Sequence, residues 1–259
     1  MENTYHGGPF LFTVFNLASS VCMTSSTSSK NNIDSIHRFP NLAKPKSDGA
    51  FCYHVQRRIS CVISAYFHAL GMSPNTATFI GLCLAVGAGL FIYFHYFLVG
   101  VLFIQLFGLW SCVDGELARL SGKTSTLGDF FDTMVDRAAE FIIVAGLLFS
   151  LKTSPPVPLW EPLLFTYMGG VFLITASSEK FRSTYHRNYP KKRLEPLFTW
   201  LCAGSDIRLL YLSLGVVWLA LTGNAVVLSW LILMMTITLY FNFLFRLRKV
   251  IQLDQSIFS

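Results

Sequence analysis

The sequence predicts an all-α integral membrane protein with six transmembrane helices and an N-terminal interfacial amphipathic helix. Of its 259 residues, 53% are hydrophobic and only 13% are charged, whereas soluble domains carry about 25% charged residues. The chain also contains 24 Phe, 10 Tyr and 5 Trp. So many aromatic rings are not left in water, which excludes a chain that is disordered as a whole. Finally, apolar stretches close to the length of a helical membrane crossing recur along the chain.

Six stretches have the length and apolar character of a crossing. They are Thr76 to Leu98, Gly100 to Leu120, Leu127 to Leu151, Leu159 to Phe181, Ile207 to Leu221 and Ala225 to Phe245. Before them, Ala50 to Leu70 places apolar residues at helical spacing and keeps Arg57 and Arg58 elsewhere on the helical wheel, which is typical of a helix lying on a membrane. We therefore expect a flexible segment (1–49), an interfacial helix (50–71), a membrane domain (72–250) and a C-terminal tail (251–259).

The basic residues indicate the orientation. Only Lys152 falls in the first, third and fifth connections, and nearly all the others flank the opposite helix ends. Because positive residues remain on the cytoplasmic side, both termini are predicted to be cytoplasmic. The membrane would be the plasma (inner) membrane if the source is prokaryotic. Since the net charge of +6 is explained by these connections, no nucleic-acid partner is expected.

Carboxylates cluster around the connection between the second and third spans. Six of the 14 acidic residues fall within 27 positions: Asp114, Glu116, Asp129, Asp132, Asp136 and Glu140. Each carboxylate at mid-membrane costs about 3 kcal/mol on insertion scales, and neighbouring carboxylates also repel one another. The cluster therefore predicts bound cations.

The spacing of these carboxylates indicates which cations. Asp129, Asp132 and Asp136 follow one another at intervals of three and four residues, so they share a helix face. Asp114 meets that face if the second and third spans pack as an antiparallel hairpin. An all-oxygen site without His or Cys favours Mg²⁺, Mn²⁺ or Ca²⁺ over zinc. Two such ions can clamp the oxygens of a phosphoryl group during its transfer.

The same region carries a signature. Asp114-Gly115-x-x-Ala118-Arg119, eight residues, Gly128, three residues, Asp132, three residues and Asp136 resembles the motif of the class I CDP-alcohol phosphatidyltransferase family. Ser73-Pro74-Asn75, the basic interfacial helix and the six-span layout resemble that family more weakly.

The resemblance implies an activity. Similar enzymes transfer a phosphoryl-linked lipid or alcohol group from a CDP-alcohol to the hydroxyl of a second alcohol and release CMP, in the synthesis of phospholipids or related polar lipids. It implies two Mg²⁺ or Mn²⁺ ions held by Asp114, Asp132 and Asp136, with Asp136 also acting as the catalytic base. It further implies contact with membrane lipids and a homodimer. The residues implied to line the nucleotide pocket are Gly115, Ala118, Arg119 and Gly128.

One position departs from the family motif. Three residues before Asp114 the family has another Asp, and here that position is Ser111, whose neutral hydroxyl is a weak metal ligand. Asp129, Glu116 or a water molecule would then have to supply the missing metal ligand. The alternative is a catalytically weakened pseudoenzyme or a cation-binding membrane protein built on the same helices.

The acceptor is less evident from the sequence. Arg137 adjoins Asp136, and Arg208 begins a span, where a charge at membrane depth needs a partner. We expect both arginines to contact the acceptor, which is then a phosphorylated alcohol such as inositol phosphate or glycerol phosphate. The other basic residues on this side, among them Lys180, Arg187 and Lys191, are more simply explained by topology and by contact with anionic lipids.

Overall fold

All regular elements among the described residues are helices. The structure, a computed structural model, describes residue 49 and residues 51–152, 159–187, 189–201 and 204–258. The predicted flexible segment 1–49 lies outside the described residues except for Gly49. A π-helical turn and nine α-helices follow in order: Cys52–Gln56, α1 Arg57–Ala69, α2 Pro74–Tyr93, α3 Phe97–Leu120, α4 Thr126–Lys152, α5 Trp160–Tyr185, α6 Lys191–Leu194, α7 Pro196–Leu201, α8 Ser205–Thr222 and α9 Val226–Phe258.

The six long helices α2, α3, α4, α5, α8 and α9 correspond to the six predicted spans, with shifted ends. Helix α2 ends at Tyr93 rather than Leu98, because His95 adopts a left-handed conformation (φ 63°) and breaks the chain before α3. Helix α9 continues to Phe258, through the residues expected to form a tail. The short helices α6 and α7 were not predicted.

In the part of the chain that the structure describes, four helices are long and apolar enough to cross a membrane: α2, α3, α8 and the part of α9 from Val226 to Gln252. The protein is therefore an all-α integral membrane protein. Helix α4 is outside this group and carries five charged residues between Asp129 and Glu140. Helix α5 is also outside it.

One apolar core joins the six long helices. Each helix contributes residues that are at most 1% exposed, for example Ala88, Ile104, Ile143, Leu164, Leu212 and Ile232. Helix α2 packs along both α3 and α4, whereas α3 and α4 touch each other only in a small region. The second and third spans thus do not form the simple hairpin that the sequence suggested, since α2 lies against both of them.

Close packing of α2 against α4 depends on two glycines. A Cβ atom on Gly146 would overlap the carbonyl oxygen of Gly89 and lie 2.9 Å from its Cα atom. A Cβ on Gly89 would in turn lie 2.8 Å from the carbonyl oxygen of Ile142. Because glycine lacks a side chain, the two backbones can approach this closely.

Candidate active site

The motif residues lie near one end of the helix bundle, a few turns inside the ends of α3 and α4. Asp114 is six residues before the end of α3, and Asp136 is ten residues after the start of α4. At 1.5 Å per residue, they lie roughly 9 and 15 Å from those ends. The connection α6–α7 and the start of α8 are at the same end, because each long helix reverses the direction of the previous one.

Asp114 is fixed by two donors. It is 6% exposed, its Oδ1 accepts a 2.6 Å hydrogen bond from the Gly115 N–H, and its Oδ2 accepts one of 3.1 Å from the Thr78 hydroxyl of α2. Helix α2 therefore supplies part of the site as well as its support. The start of α2 is fixed in turn by Ser73, whose Oγ accepts from the Thr76 N–H at 3.2 Å, as expected of an N-cap.

Ser111 contacts Asp136 directly. Its hydroxyl donates a 3.0 Å hydrogen bond to Asp136 Oδ1, linking α3 to α4 where the two helices meet. Where the family motif has an aspartate, this chain therefore has a serine whose hydroxyl donates a hydrogen bond to Asp136. This contact between α3 and α4 brings the two halves of the motif together.

Asp132 lines two cavities. The larger cavity, of about 1140 Å³, is lined by Asp114, Asp129 and Asp132, by the N-terminal end of α2, and by all four predicted nucleotide residues, Gly115, Ala118, Arg119 and Gly128. The smaller cavity, of about 350 Å³, is lined by Ser111, Asp132, Asp136, Arg137, Glu140, Lys191 and Arg208, among others. Asp132 belongs to both walls, whereas Asp114 lines only the larger cavity and Asp136 only the smaller one.

The smaller cavity contains a buried ion cluster around Glu140. Arg208 donates to both oxygens of Glu140, from Nε to Oε1 at 2.6 Å and from Nη2 to Oε2 at 2.8 Å. Arg137 donates to Oε2 at 2.8 Å, and the Tyr167 hydroxyl donates to Oε1 at 3.1 Å. The two predicted acceptor arginines therefore share one carboxylate. We call Glu140, Arg137, Arg208 and Tyr167 the Glu140 cluster.

Glu116 and Asp129 were suggested as substitutes for the missing aspartate, and each of them already has partners of its own. Glu116 is fully buried and accepts from Arg57 at 2.8 Å, from Ser60 at 2.8 Å and from Ser64 at 2.6 Å, which anchors α1 to α3. Asp129 is exposed and forms an ion pair with Arg182 of α5. Among the described residues, no three His, Cys, Asp or Glu side chains are grouped so that they could hold a metal ion.

Sequence reasoning missed the roles of two residues that line the smaller cavity, Glu140 and Lys191, and of Tyr167, which contacts Glu140. Glu140 was counted only as part of the acidic cluster, although its position four residues after Asp136 and three after Arg137 places it on their helix face. Tyr167 gave no signal, since its contact with Glu140 spans 27 positions. Lys191 was grouped with the basic residues of its connection, and only the fold places it in the cavity wall.

These features define a helical membrane protein in which a cluster of carboxylates lines two cavities at one end of the bundle. A family model described as CDP-alcohol phosphatidyltransferase matches residues 71–241. The chain therefore belongs to the CDP-alcohol phosphatidyltransferase family.

Curated relatives match parts of the chain. The bifunctional IPC transferase and DIPP synthase of Aquifex aeolicus is 28% identical over 144 residues, covering 55% of this chain and 32% of the relative. The phosphatidylinositol phosphate synthase of Streptomyces avermitilis is 34% identical over 90 residues, covering 34% of this chain and 37% of the relative. Across six such relatives the match spans between 32% and 51% of the relative's length.

Solved structures share the fold. The crystal structure of Mycobacterium tuberculosis phosphatidylinositol phosphate synthase with CDP-DAG bound superposes with a TM-score of 0.60 at 18% identity, covering 74% of this chain and 92% of that chain. A structure of that enzyme in complex with manganese and citrate gives a TM-score of 0.57 at 17% identity, covering 73% of this chain and 87% of that chain. At these identities the likeness concerns the fold.

Proposed function

We propose that this protein transfers a phosphoryl-linked lipid or alcohol group from a CDP-alcohol to the hydroxyl of a second alcohol and releases CMP. The observation that carries the proposal is the position of Asp132 in the walls of both cavities. A donor in the larger cavity and an acceptor in the smaller one would meet at the motif carboxylates. Catalysis of phosphoryl transfer consists largely of such positioning and of charge stabilisation.

The larger cavity suits the nucleotide of the donor. The absence of side chains at Gly115 and Gly128 lets a ligand approach the backbone, and Arg119 can neutralise a phosphate charge. These residues and Ala118 lie on the ends of α3 and α4 that face each other across the cavity. The CDP-DAG complex of the structural relative supports a CDP-linked lipid as the donor.

The smaller cavity suits a phosphorylated acceptor. Arg137, Lys191 and Arg208 line it, and cationic donors of this kind bind phosphate oxygens strongly. The names of the relatives from Streptomyces avermitilis and Pyrococcus horikoshii, a phosphatidylinositol phosphate synthase and an archaetidylinositol phosphate synthase, favour inositol phosphate over glycerol phosphate.

Asp136 would accept the proton of the attacking hydroxyl. The acceptor oxygen forms a bond to the phosphorus that carries the donor's alcohol, and the bond from that phosphorus to the oxygen of CMP breaks. Ser111 donates to Oδ1 of Asp136, which leaves Oδ2 as the proton acceptor. The products are the phosphodiester and CMP, with the proton on Asp136.

Asp114, Asp132 and Asp136 carry oxygen ligands of the kind that Mg²⁺ or Mn²⁺ prefers. In the described part of the chain the three are not grouped closely enough to hold an ion, so their side chains would have to converge when an ion binds. The Asp114 oxygens accept hydrogen bonds from Thr78 and the Gly115 N–H, and Asp136 accepts one from Ser111. A bound cation would share these oxygens with the donors. When bound, divalent ions neutralise the diphosphate and stabilise the leaving group. The manganese complex of the structural relative supports this choice. Because Ser111 adds no charge, two ions would share three carboxylates, and Asp129 would join them only by leaving its ion pair with Arg182.

We infer the finer architecture from the same features. Six crossings, with α4 and α5 added to the four most apolar helices, and an interfacial helix at 50–71 would place both termini and both cavities on the cytoplasmic side. In a prokaryote the site would face the cytoplasm from the inner membrane. The homodimer is proposed on family resemblance.

The test is CMP release by the full chain in lipid vesicles. With Mn²⁺, CDP-diacylglycerol and inositol phosphate, we expect CMP to be released, and Asp136→Asn should lower the rate at least about 100-fold, as expected for loss of a general base. Glu161→Gln, at the exposed start of α5, is the control and should retain wild-type activity. Activity that survives Asp136→Asn would contradict the assignment of the base.

Ser111→Asp separates the enzyme from its alternative. If the wild-type chain releases CMP with inositol phosphate, glycerol phosphate or inositol, the transferase proposal stands. If the wild type is silent with all three and Ser111→Asp is active, the protein is a pseudoenzyme that has lost a metal ligand. Ser111→Ala removes the hydrogen bond to Asp136 without adding charge and is the matched control.

A further inference from the structure

Glu140 is a buried carboxylate whose two oxygens are both held by neighbouring side chains. It lies on α4 one turn after Asp136 and is 1% exposed. Its two oxygens accept four hydrogen bonds of 2.6 to 3.1 Å from three side chains on α4, α5 and α8. A carboxylate so fully engaged has little capacity left for a metal ion or for a proton in transfer.

The two arginines that Glu140 contacts form part of the wall of the smaller cavity. Arg208 approaches with its Nε and Nη2 atoms in the parallel arrangement that fixes a guanidinium plane. Arg137 uses Nη1, three residues along the same helix. The carboxylate therefore fixes the orientation of one arginine from each of two helices that bound the cavity.

Charge and an unsatisfied donor both point to an anion in this cavity. Within the Glu140 cluster, one carboxylate contacts two guanidinium groups, which leaves one positive charge at this part of the cavity wall for an anion to neutralise. The buried Nε of Arg137 has no hydrogen-bond partner within the described part of the chain. Buried donors are normally satisfied, so a ligand oxygen is a natural partner for this group.

We propose that Glu140 is the positioning residue of the acceptor subsite, holding Arg137 and Arg208 in the orientation that binds the phosphate of a phosphorylated alcohol. The inference rests on the proposed function for the acceptor's chemical class. Glu140 itself does not touch the acceptor. It acts through the two arginines, and Tyr167 supports it from α5.

A purely structural role has a different signature. If Glu140 only neutralised buried charge, its loss would weaken the fold and affect donor and acceptor equally. A positioning role affects acceptor binding selectively, because the larger cavity, which would hold the donor, contains neither arginine. The ratio of the two KM values therefore separates the two roles.

The experiment compares Glu140→Gln with Tyr167→Phe in the full chain in lipid vesicles. The glutamine variant keeps the shape of the side chain but turns one acceptor oxygen into an N–H donor facing an arginine. It should raise the apparent KM for inositol phosphate at least tenfold and change the KM for CDP-diacylglycerol less than twofold. Tyr167→Phe removes one donor and leaves both arginines paired, so it should change the acceptor KM less than threefold.

Equilibrium binding provides a readout independent of turnover. Without donor, titration of the detergent-solubilised chain with inositol phosphate should give a Kd at least tenfold weaker for Glu140→Gln than for wild type. If the glutamine variant does not fold, Glu140→Asp replaces it, and we expect a smaller but still acceptor-selective rise in KM.

Two results would overturn the inference: equal rises in both KM values, or an unchanged Kd for inositol phosphate in a folded Glu140 variant. Failure of the proposed function would look different. In that case the wild-type chain itself would release no CMP, while the binding comparison would still decide the role of Glu140.

Discussion

The carboxylates of this site differ in the groups that hold them. Arginines engage Glu116 and Glu140, whereas Asp114 and Asp136 accept hydrogen bonds from hydroxyl or backbone N–H groups. A carboxylate that accepts only from neutral donors keeps its negative charge uncompensated, whereas one paired with a guanidinium group does not, so the former is the better partner for a cation. The individual partners thus separate carboxylates that support the structure from those suited to chemistry.

Lys191 supports a prediction about pH. Burial lowers its pKa to about 8, and the nearby positive charges of Arg246, Arg208 and Arg137 act in the same direction, against the opposing charge of Glu195. Below pH 8 the amine is therefore charged and can bind a phosphate, and above pH 8 it becomes neutral. We expect the KM for inositol phosphate to rise about tenfold between pH 7 and 9, as loss of one proton with this pKa requires.

Lys191→Arg is the control for this pH dependence. Arginine remains protonated throughout this range, so its KM profile should be flat above pH 7. The phosphate of the acceptor has its second pKa near 6 and does not titrate in the same window. A wild-type profile that matches that of Lys191→Arg would exclude Lys191 from acceptor binding.

At the scale of helices, α2 and α1 hold the site together from outside the motif. Helix α2 lies along both α3 and α4 and supplies Thr78 to Asp114. Helix α1 is joined to α3 by the buried Arg57–Glu116 pair, in which Arg57 also donates to the Cys112 carbonyl at 3.1 Å. Removal of one partner from such a pair leaves an uncompensated buried charge and is strongly destabilising.

The contact between α2 and α4 gives a prediction at this scale. Gly146→Ala places a methyl group against the backbone of Gly89, so the helices must separate or bend. Overpacking of this kind costs about 1–3 kcal/mol. We expect a lower melting temperature of the detergent-solubilised protein and slower CMP release, because the position of α4 relative to Asp114 depends on this contact.

Gly81→Ala on α2 is the matched control. A Cβ atom there meets only Trp110 Cδ1, at an ordinary distance of 3.5 Å, and alanine is the better helix former. Its melting temperature should equal or exceed that of the wild type. If both alanine variants melt alike, the close approach of α2 and α4 does not limit stability.

Over the whole molecule, the motif carboxylates, both cavities and most basic residues lie at one end of the bundle. The opposite end has the short connections at His95 and at Asn224. By the positive-inside rule, the end with most of the basic residues is predicted to be cytoplasmic. A donor lipid could then place its acyl chains among the helices while its nucleotide occupies the larger cavity.

Labelling of single introduced cysteines tests that orientation. Lys123→Cys and Asn224→Cys both lie in exposed turns, at opposite ends of the bundle. In intact cells a membrane-impermeant maleimide should label Asn224→Cys at once and Lys123→Cys only after permeabilisation, with the wild-type chain as the background control. The reverse order would place the site on the other side of the membrane.

The number and order of long helices could be predicted from sequence because each crossing needs a run of apolar residues that is visible locally. The short helices α6 and α7 could not, since four and six residues are too few to show a period. The motif spacing likewise placed Asp132 and Asp136 on one face of a helix. Ser111, which donates to Asp136, and Arg208, which donates to Glu140, lie 25 and 68 positions away from these α4 residues. A local sequence pattern cannot predict contacts over such separations.

The sequence by itself determined that this is a helical membrane protein with a clustered acidic motif, because hydropathy and helical spacing are local properties of the chain. Only the tertiary structure decided which groups each carboxylate contacts. Packing of helices that are distant in the chain forms the ion pairs Glu116–Arg57 and Glu140–Arg208. It also places Asp132 in the walls of both cavities. These assignments depend on contacts between residues far apart in the chain, which no run of neighbouring residues encodes.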